Sequence, residues 1–319
     1  PDMTRWIAYA ALASFGSFTA GPALPPAAEA VAPNDNRQSA GTLQNGVLTV
    51  ALEARTGVWH PEGENGRALD VAAFAEANKP LSTPGPLLRV PLGTEIRATV
   101  RNQLGQPLIV YGLGASRGLS DSVIVPANVA TPFRFTPTAP GTYYYVAKRG
   151  VDAVGGRPVE DAQLHGVIVV DPSGVRSTPD ERVFGISWWC AVDPGSKSGL
   201  SRCTMAINGL SWPHTERLQY AQGDSVHWRV VNFTELDHPM HLHGFFFRMD
   251  SKGNGVADSL YSATQQRMGV TEIVPPFETI SLSWYAERPG NWIYHCHYAT
   301  HLSNLVALLR MNLFAYRDL

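Results

Sequence analysis

Short runs of alternating apolar and polar residues, bounded by glycine, proline or asparagine, recur along this chain. Two examples are GTEIRATVRN (93–102) and GDSVHWRVVN (223–232), in which every second residue is apolar or aromatic. A period of two is typical of β-strands that bury one face. The pattern predicts an all-β protein with many turns, and the 29 glycines and 24 prolines agree with it. Helices should be few and short, and residues 68–77 (ALDVAAFAEA) are the best candidate for one.

Three segments of the first half recur, in the same order, in the second half. The matched pairs are GTEIRATVRN and GDSVHWRVVN (93–102 and 223–232), VYGLG and MHLHG (110–114 and 240–244), and PGTYYYVAK and PGNWIYHCH (140–148 and 289–297). The first two pairs are both 130 positions apart (93 against 223, 110 against 240). The repeat predicts two homologous β-sandwich domains of Greek-key type, each near the usual domain size.

We place the first domain at residues 41–172 and the second at 181–319. Between them, DPSGVRSTPDER (171–182) is rich in proline, serine and charge and is typical of a linker. Residues 1–40 form an N-terminal segment and extension. Within it, Arg5, the apolar stretch from Trp6 to Phe18, and Ala28-Glu29-Ala30 match the three parts of a secretory signal, which predicts a periplasmic or secreted protein.

The charge balance excludes some partners. The chain has 25 lysines and arginines against 27 aspartates and glutamates, and no basic patch that would attract nucleic acid or an anionic membrane surface. Of the three cysteines, Cys190 and Cys203 lie on either side of one loop between strand-like runs. In an oxidising compartment they are expected to form a structural disulfide, which leaves Cys296 as the remaining thiol.

Six of the ten histidines surround Cys296 in two motifs of the second domain. They are His238, His241 and His243 in DHPMHLHG, and His295, His297 and His301 in HCHYATH. Alternate residues of a strand share one face, so His241 and His243 should point the same way, as should His295 and His297. Cys296 should then point to the opposite face. One short strand thus serves two sites on its two sides.

On the Cys296 face, His238 and His301 can complete a set of two imidazoles and one thiolate. Such a trio with a weak or missing axial ligand is typical of a blue-copper electron-transfer centre. The alternative is that the histidines are scattered over the surface and Cys296 is a buried apolar residue. Zinc is a weaker alternative, because one tetrahedral site does not explain ligands on both faces of the strand.

HPMHLHG and HCHYATH resemble the two copper-binding motifs of the multicopper oxidases, and specifically of their C-terminal cupredoxin domain. The resemblance extends over residues 41–319, although its specific motifs lie in the second domain alone. It implies two cupredoxin-like domains of the kind found in two-domain, laccase-like members. It further implies that His238, Cys296 and His301 bind a type 1 copper, and that the type 2 and type 3 coppers take His241, His243, His295 and His297.

The resemblance also implies how these residues act. Electrons from a small-molecule or metal-ion donor would pass through Cys296 to His295 and His297 and on to dioxygen, and these three are the predicted catalytic residues. The usual axial position of the type 1 site holds Val306, next to Leu305, and neither side chain can ligate. We therefore expect a three-coordinate copper. Two-domain members assemble as homo-oligomers, and a trimer is the assembly implied here. Asp237 and Glu272 are candidates for orienting the imidazoles.

The first domain lacks the corresponding ligands. The repeat aligns Tyr111 and Leu113 with the first histidine pair, and Val146, Ala147 and Lys148 with the His-Cys-His triplet. We therefore predict a first domain without copper and an incomplete type 2 and type 3 cluster. Its own histidines, His60 and His165, lie outside the motif positions, and His165 is expected to be a packed strand residue.

Two functions remain open on these observations. The first is a copper-dependent oxidoreductase of the multicopper oxidase type, with one type 1 copper and one or two further coppers, and with slow or altered reduction of dioxygen. The second is a non-enzymatic blue-copper electron carrier or copper-binding protein. An inactive structural module is a third reading, and the full type 1 ligand set counts against it. The number of coppers per chain separates the first two.

Overall fold

The computed structural model describes residues 28–114, 118–151, 158–174, 181–192 and 201–298. Strands are the main regular element of these residues, beside two short 3-10 helices at Gly118–Ser120 and Val159–Asp161, so the all-β prediction is confirmed. The strands of the first half are β1 (Ala30–Pro33), β2 (Thr42–Gln44), β3 (Val47–Trp59), β4 (Leu69–Glu76), β5 (Ser82–Thr83), β6 (Leu88–Pro91), β7 (Glu95–Asn102), β8 (Leu108–Tyr111), β9 (Ser122–Val125), β10 (Ala130–Phe135), β11 (Gly141–Arg149) and β12 (His165–Asp171).

The second half begins with two long strands that are joined by the disulfide between Cys190 and Cys203, as predicted. Its strands are β13 (Arg182–Val192), β14 (Ser201–Ile207), β15 (Ser225–Asn232), β16 (His238–Leu242), β17 (Phe247–Gly253), β18 (Asp258–Leu260), β19 (Met268–Gly269), β20 (Thr271–Val274), β21 (Thr279–Tyr285) and β22 (Tyr294–Cys296). In the part of the chain that the structure describes, no helix is both long and apolar enough to cross a membrane.

Each half contains one large and one smaller sheet. The first half pairs a seven-stranded sheet, ordered β1-β5-β4-β3-β7-β10 with β2 beside β3, with a five-stranded sheet ordered β6-β12-β11-β8-β9. The second half pairs a seven-stranded sheet, ordered β14-β13-β15-β21-β17-β18 with β19 beside β17, with a three-stranded sheet ordered β20-β16-β22. An apolar cluster fills the space between the sheets of each half. This is the sandwich arrangement that period-two strands with one buried face produce.

The internal repeat is visible in the hydrogen bonds. Asn102 ends β7 and its side-chain amide donates to the carbonyl oxygens of residues 106, 125 and 126. Asn232 ends β15, 130 positions later, and its amide donates to the carbonyl oxygens of residues 236, 274 and 275. β7 pairs with β3 in parallel and with β10 in antiparallel orientation. β15 likewise pairs with β13 in parallel and with β21 in antiparallel orientation. The two halves are therefore copies of one fold. The limits placed on the two domains stay a prediction, and β1 already joins the first sheet upstream of residue 41.

The helix predicted at residues 68–77 is wrong, because this segment is strand β4. Alanine and leucine favour helix locally, but β4 pairs with β3 over eight residues, and Ala72, Ala73, Phe74 and Ala75 are all buried. A segment that is buried on both faces loses the alternation that identifies a strand in sequence. Small alanine side chains let it lie between neighbouring elements, and the pairing overrides the helix propensity.

The two halves pack together through an apolar cluster that draws residues from both. It contains Leu87, Tyr144, Val146, Val167 and Val169 from the first half and Val183, Val231 and Phe233 from the second. His165 is fully buried here and its ring stacks on Phe233 with centroids 4.0 Å apart, which confirms it as a packed strand residue. The Tyr144 hydroxyl donates to the carbonyl of Phe277 across the same contact. The signal-like residues up to 27 and part of the predicted linker (175–180) lie outside the described residues.

Candidate metal centre

The three-stranded sheet of the second half brings the two histidine motifs together. β16 is its central strand, and its register places His241 opposite His295 and Met240 opposite Cys296. Along β16 buried residues alternate with half-buried ones, so His238, Met240 and Leu242 face the core while Pro239 and His241 face outward. Tyr294 and Cys296 of β22 pack against the same core cluster. The sheet therefore has an imidazole face and a thiol face.

Four imidazoles form a group on the outward face. Ring centroids are 4.7 Å apart for His241 and His297, 4.8 Å for His241 and His243, and 5.0 Å for His243 and His295. The pairs His295–His297 and His241–His295 follow at 5.5 and 5.7 Å. His297 is exposed and the other three rings are half-buried, so the group opens to the surface of the chain. We call these four residues the histidine quartet.

Hydrogen bonds set the orientation of three of the rings. The Nδ1 atom of His241 lies 2.7 Å from the Thr271 hydroxyl, on the neighbouring strand β20. The Nδ1 atom of His295 lies 2.8 Å from the carbonyl oxygen of Cys296. These contacts direct Nε2 of both rings away from the backbone, and Nε2 of His295 meets Nε2 of His243 at 2.9 Å. Fixing one ring nitrogen so that the other is presented is how proteins prepare a histidine for a metal.

Burial and the neighbouring rings disfavour positive charge on His241. The pKa of His241 lies below its ordinary value, mainly because burial penalises the charged ring and further because His297, His243 and His295 would repel it. A neutral imidazole is the form that binds a metal. At His241, protons therefore compete with a metal less than they would at an isolated histidine.

His238 and Cys296 lie on the thiol face. His238 is 1 % exposed and its Nε2 atom lies 2.8 Å from the Thr234 hydroxyl. Cys296 is a half-buried thiol outside any disulfide, and burial raises its pKa. Cys296 lies opposite Met240, one register position from the pair formed by His241 and His295. His301, the predicted third ligand, lies outside the described residues, as do Leu305 and Val306.

The donors suit copper, although the described side chains are not arranged around a metal position. Imidazoles and a thiolate are the ligands that copper prefers in proteins. Among the residues that the structure describes, no group of three or more His, Cys, Asp or Glu is placed so that it could hold one ion. Two imidazoles on one ion require nitrogens up to about 4 Å apart, because each bond is about 2 Å long. The Nε2 atoms of His243 and His295, now 2.9 Å apart, would separate by at most about 1 Å, which side-chain rotation can supply.

The described residues of the first half carry no histidine or cysteine at the positions that match His238, His241, His295 and Cys296. In its sheet Tyr111 pairs with Val146, and Val110 pairs with Ala147. These pairs match His241 with His295 and Met240 with Cys296 in the second half. Leu108, the counterpart of His238, is fully buried in the core. The replaced positions are thus ordinary packing positions.

Tyr111 and Lys148 stand where the repeat would place ligands of the first half. Tyr111 instead packs against the apolar cluster between the halves, and Lys148 is only 6 % exposed.

Two threonines that the sequence did not indicate contact the histidines. Thr271 and Thr234 hold His241 and His238, whereas Asp237 is exposed and Glu272 is engaged by Arg267. Thr234 lies four positions before His238 in the sequence, and this short spacing is a local signal that could have identified it as a neighbour of His238. Thr271 becomes a neighbour of His241 through pairing of β16 with β20, which no local pattern predicts.

Comparison with known proteins agrees with this arrangement. Residues 192–310 match the multicopper oxidase family. The chain is 23 % identical over 287 residues, 82 % of its length, to a protein of Kuenenia stuttgartiensis named as a probable nitrite reductase-hydroxylamine oxidoreductase fusion protein. Over 74 residues, 22 % of its length, it is 39 % identical to laccase-9 of Arabidopsis thaliana. The chain spans only 31 % and 13 % of the lengths of these two relatives.

The fold has close counterparts among solved structures. The structure of the multicopper oxidase mgLAC superposes with a TM-score of 0.62 at 21 % identity, covering 80 % of this chain and 81 % of that one. At this identity the likeness shows the cupredoxin-like fold.

Proposed function

Because this chain belongs to the laccase-like, cupredoxin-fold family of multicopper oxidases, we propose that it is a copper-dependent oxidoreductase with a type 1 copper in its second half and an incomplete type 2 and type 3 cluster. Bound copper would supply one-electron oxidation and reduction. His238, Cys296 and His301 would hold the type 1 copper, and the histidine quartet would hold the rest.

One observation supports this proposal most directly. The quartet lies on one face of a sheet whose other face presents Cys296 and His238, and both faces are served by the same two strands. Cys296 is covalently bonded to His295 and His297, its neighbours in the chain. A redox centre on the thiol face would therefore be joined to the imidazole face by a few bonds. The carbonyl of Cys296 adds a second link, because it contacts Nδ1 of His295.

The quartet limits how much metal the imidazole face can hold. Four imidazoles, with no histidine aligned to them in the first half, can satisfy one copper, or at most two. An open group of four histidines would otherwise stay hydrated at the surface. The face around it carries exposed apolar residues, among them Ile273 and Ile293 at 49 % and 47 % exposure. These residues support the idea that a neighbouring subunit covers the face in a homotrimer.

The donor and the acceptor follow from the family rather than from the described residues. We propose a small-molecule or metal-ion electron donor and dioxygen as the acceptor, in the periplasm or outside the cell. Nitrite is a second acceptor to assay, because the Kuenenia relative, which matches 82 % of this chain, is named as a probable nitrite reductase-hydroxylamine oxidoreductase fusion protein. The bare first half supports the alternative function of a blue-copper electron carrier, since a carrier needs the type 1 site alone.

The deciding experiment is copper analysis of the purified protein, combined with its absorption spectrum and with assays of oxygen and nitrite consumption. We expect a blue protein with two or three coppers per chain and slow consumption of an acceptor when a phenolic donor is present. One copper per chain, a blue colour and no consumption would establish the carrier instead. A colourless protein after copper loading under oxidising conditions would overturn both functions.

The variant His297→Ala tests the assignment of the quartet. It should remove the non-blue copper and leave the blue band unchanged, because His297 lies on the imidazole face. His214→Ala is the matched control, since His214 is exposed and distant in sequence from both motifs. Loss of the blue band in His297→Ala, or loss of non-blue copper in the control, would contradict the assignment.

A further inference from the structure

Four oxidisable rings form an unbroken series through the core of the second half. The ring centroids are 4.9 Å apart for Tyr294 and Trp228, 5.2 Å for Trp228 and Trp284, and 5.5 Å for Trp284 and Tyr220. These spacings are within the range of direct ring contact. We call these four residues the aromatic ladder.

The inner end of the ladder adjoins the thiol face. Tyr294 and Cys296 are alternate residues of β22 and pack against the same core cluster. Alternate residues of a strand lie about 7 Å apart along one face. The Tyr294 hydroxyl has no hydrogen-bond partner among the described residues, so no group takes its proton, and the ring serves as the contact between Cys296 and Trp228 and not as the site of the radical.

The outer end of the ladder reaches the surface. Tyr220 is partly exposed, and its hydroxyl oxygen accepts a hydrogen bond from Nε1 of Trp228 at 3.1 Å. A side branch runs from Trp284 through Phe245, at 4.8 Å, to the exposed Trp292, at 5.3 Å. Phenylalanine is much harder to oxidise than tryptophan or tyrosine. Tyr220 is therefore the exit with a continuous series of oxidisable rings.

The first half shows that the fold does not require these rings for packing. In the first half, Ala98 lies opposite Phe133 and Ile96 lies opposite Phe135. At the matching positions of the second half, Trp228 lies opposite Leu282 and Val226 lies opposite Trp284. Ala98 and Phe135 thus replace the two tryptophans in a core that is equally well buried. The half that lacks the metal ligands also lacks the oxidisable series.

We propose that the aromatic ladder conducts oxidising equivalents between Cys296 and the surface at Tyr220, and so protects the thiol. A one-electron oxidant near Cys296, such as a partly reduced oxygen species, takes one electron from Trp228. The Trp228 radical takes one electron from Tyr220, directly or through Trp284, and the phenol proton of Tyr220 passes to water. A thiol or phenol in solution then returns one electron, and water returns the proton. Without this route the same oxidant would take one electron from Cys296, whose proton would pass to water, and dioxygen would carry the resulting thiyl radical on to the sulfur acids.

The inference depends on the proposed redox function only for the source of the oxidant. Electron transfer along the ladder can be tested without copper, by oxidising its surface end so that the positive charge moves inward and not outward. In the full-length, copper-free protein, flash-generated ruthenium(III) tris-bipyridine oxidises accessible rings from solution, and the positive charge then moves inward to Cys296. Transient absorption follows the tyrosyl and indole radicals, and mass spectrometry measures oxidised Cys296.

Trp228→Phe and Tyr220→Phe should both lower the yield of oxidised Cys296 several-fold. Tyr220→Phe removes one hydroxyl at a partly exposed position, so its result holds even if Trp228→Phe is poorly folded. Trp212→Phe is the matched control, because Trp212 is 67 % exposed and lies outside the ladder, and its yield should equal that of the wild type. Equal yields in all four proteins would overturn the proposal.

A parallel measurement on Cu(I)-loaded protein should show the blue band returning after the flash, several-fold more slowly in Trp228→Phe than in the wild type. Equal rates in the two proteins would count against the ladder. If no blue band forms in either, the copper function fails, and the copper-free yields decide the ladder independently.

Discussion

At the scale of single residues, the candidate site depends on the alternation of side chains about Cys296. Its neighbours His295 and His297 belong to the imidazole face, whereas Cys296 itself packs with Tyr294 against the core. A change at any one of these positions should therefore affect one face and leave the other intact. This separation makes the site testable by single substitutions.

Cys296→Ser should abolish the blue colour of the copper-loaded protein without unfolding the second half. The colour arises from charge transfer between a thiolate and Cu(II), and serine is nearly isosteric with cysteine but is not a soft ligand. The absorption spectrum and the thermal unfolding curve measure the two effects. Non-blue copper bound to the quartet should persist in this variant, and a blue Cys296→Ser protein would refute the thiolate assignment.

Thr271→Val should weaken metal binding at the quartet by about 10- to 100-fold, the usual effect of removing a group that orients a ligand. The substitution preserves shape but deletes the hydroxyl that holds Nδ1 of His241. Metal titration followed by the non-blue signal measures the affinity, and the blue band should not change. Thr271→Ser keeps the hydroxyl and should retain wild-type affinity. Equal affinities in the valine and serine variants would show that the contact has no orienting role.

At the scale of elements, tight packing between strands leaves no room for added atoms at some glycines. Gly166 of β12 pairs with Tyr145 of β11, and a Cβ on Gly166 would lie 2.3 Å from the Tyr145 ring. That ring is fully buried, and its hydroxyl donates to the carbonyl of Pro86 at 2.6 Å. The ring therefore cannot move aside without breaking this hydrogen bond.

Gly166→Ala should destabilise the protein by roughly 1–3 kcal/mol, the typical cost of overpacking a core. The control is Gly269→Ala in β19, where the nearest atom to an added Cβ is 3.5 Å away. Unfolding in urea measures both free energies. If the two variants were equally stable, the packing of Tyr145 against β12 would not be as tight as the structure shows.

At the scale of the whole molecule, a network of ion pairs joins the two halves. Glu181 of the second half contacts Arg89 of the first half and lies 2.7 Å from Arg229. Arg229 in turn donates to the Thr142 hydroxyl of the first half at 2.9 Å. Although burial opposes its ionisation, the charges of Arg229, Arg89 and His227 hold the pKa of Glu181 below its ordinary value of 4.5.

Glu181→Gln should destabilise the protein by roughly 3 kcal/mol at neutral pH, near the lower end of the cost of breaking a buried ion pair. A carboxylate whose pKa is lowered by folding contributes stability above its unfolded pKa and loses it as the pH falls through the folded value. The difference between wild type and variant should therefore be full at pH 7 and shrink below about pH 4. Denaturant unfolding at several pH values measures it. Glu287→Gln, at an exposed position, should be as stable as the wild type at each pH. A difference in unfolding free energy between wild type and Glu181→Gln that increased in acid would contradict the role of Glu181.

Much of this organisation follows from the sequence alone. The strand class, the duplication and the two faces around Cys296 depend on a period of two and on matched segments, which are local properties of the chain. Asn102 and Asn232 illustrate this, because identical positions in the two copies make equivalent hydrogen bonds. The two histidine motifs are equally local, since each lies within seven residues.

Tertiary structure decided the features that depend on which strands become neighbours. β4 is a strand because β3 pairs with it, although its alanines favour a helix. Thr271 orients His241, and Trp228 meets Tyr294, because strands distant in sequence were brought side by side in one register. The four imidazoles likewise converge only when β22 pairs with β16. Local propensity cannot supply these contacts, because they are chosen by the burial of side chains over the whole fold.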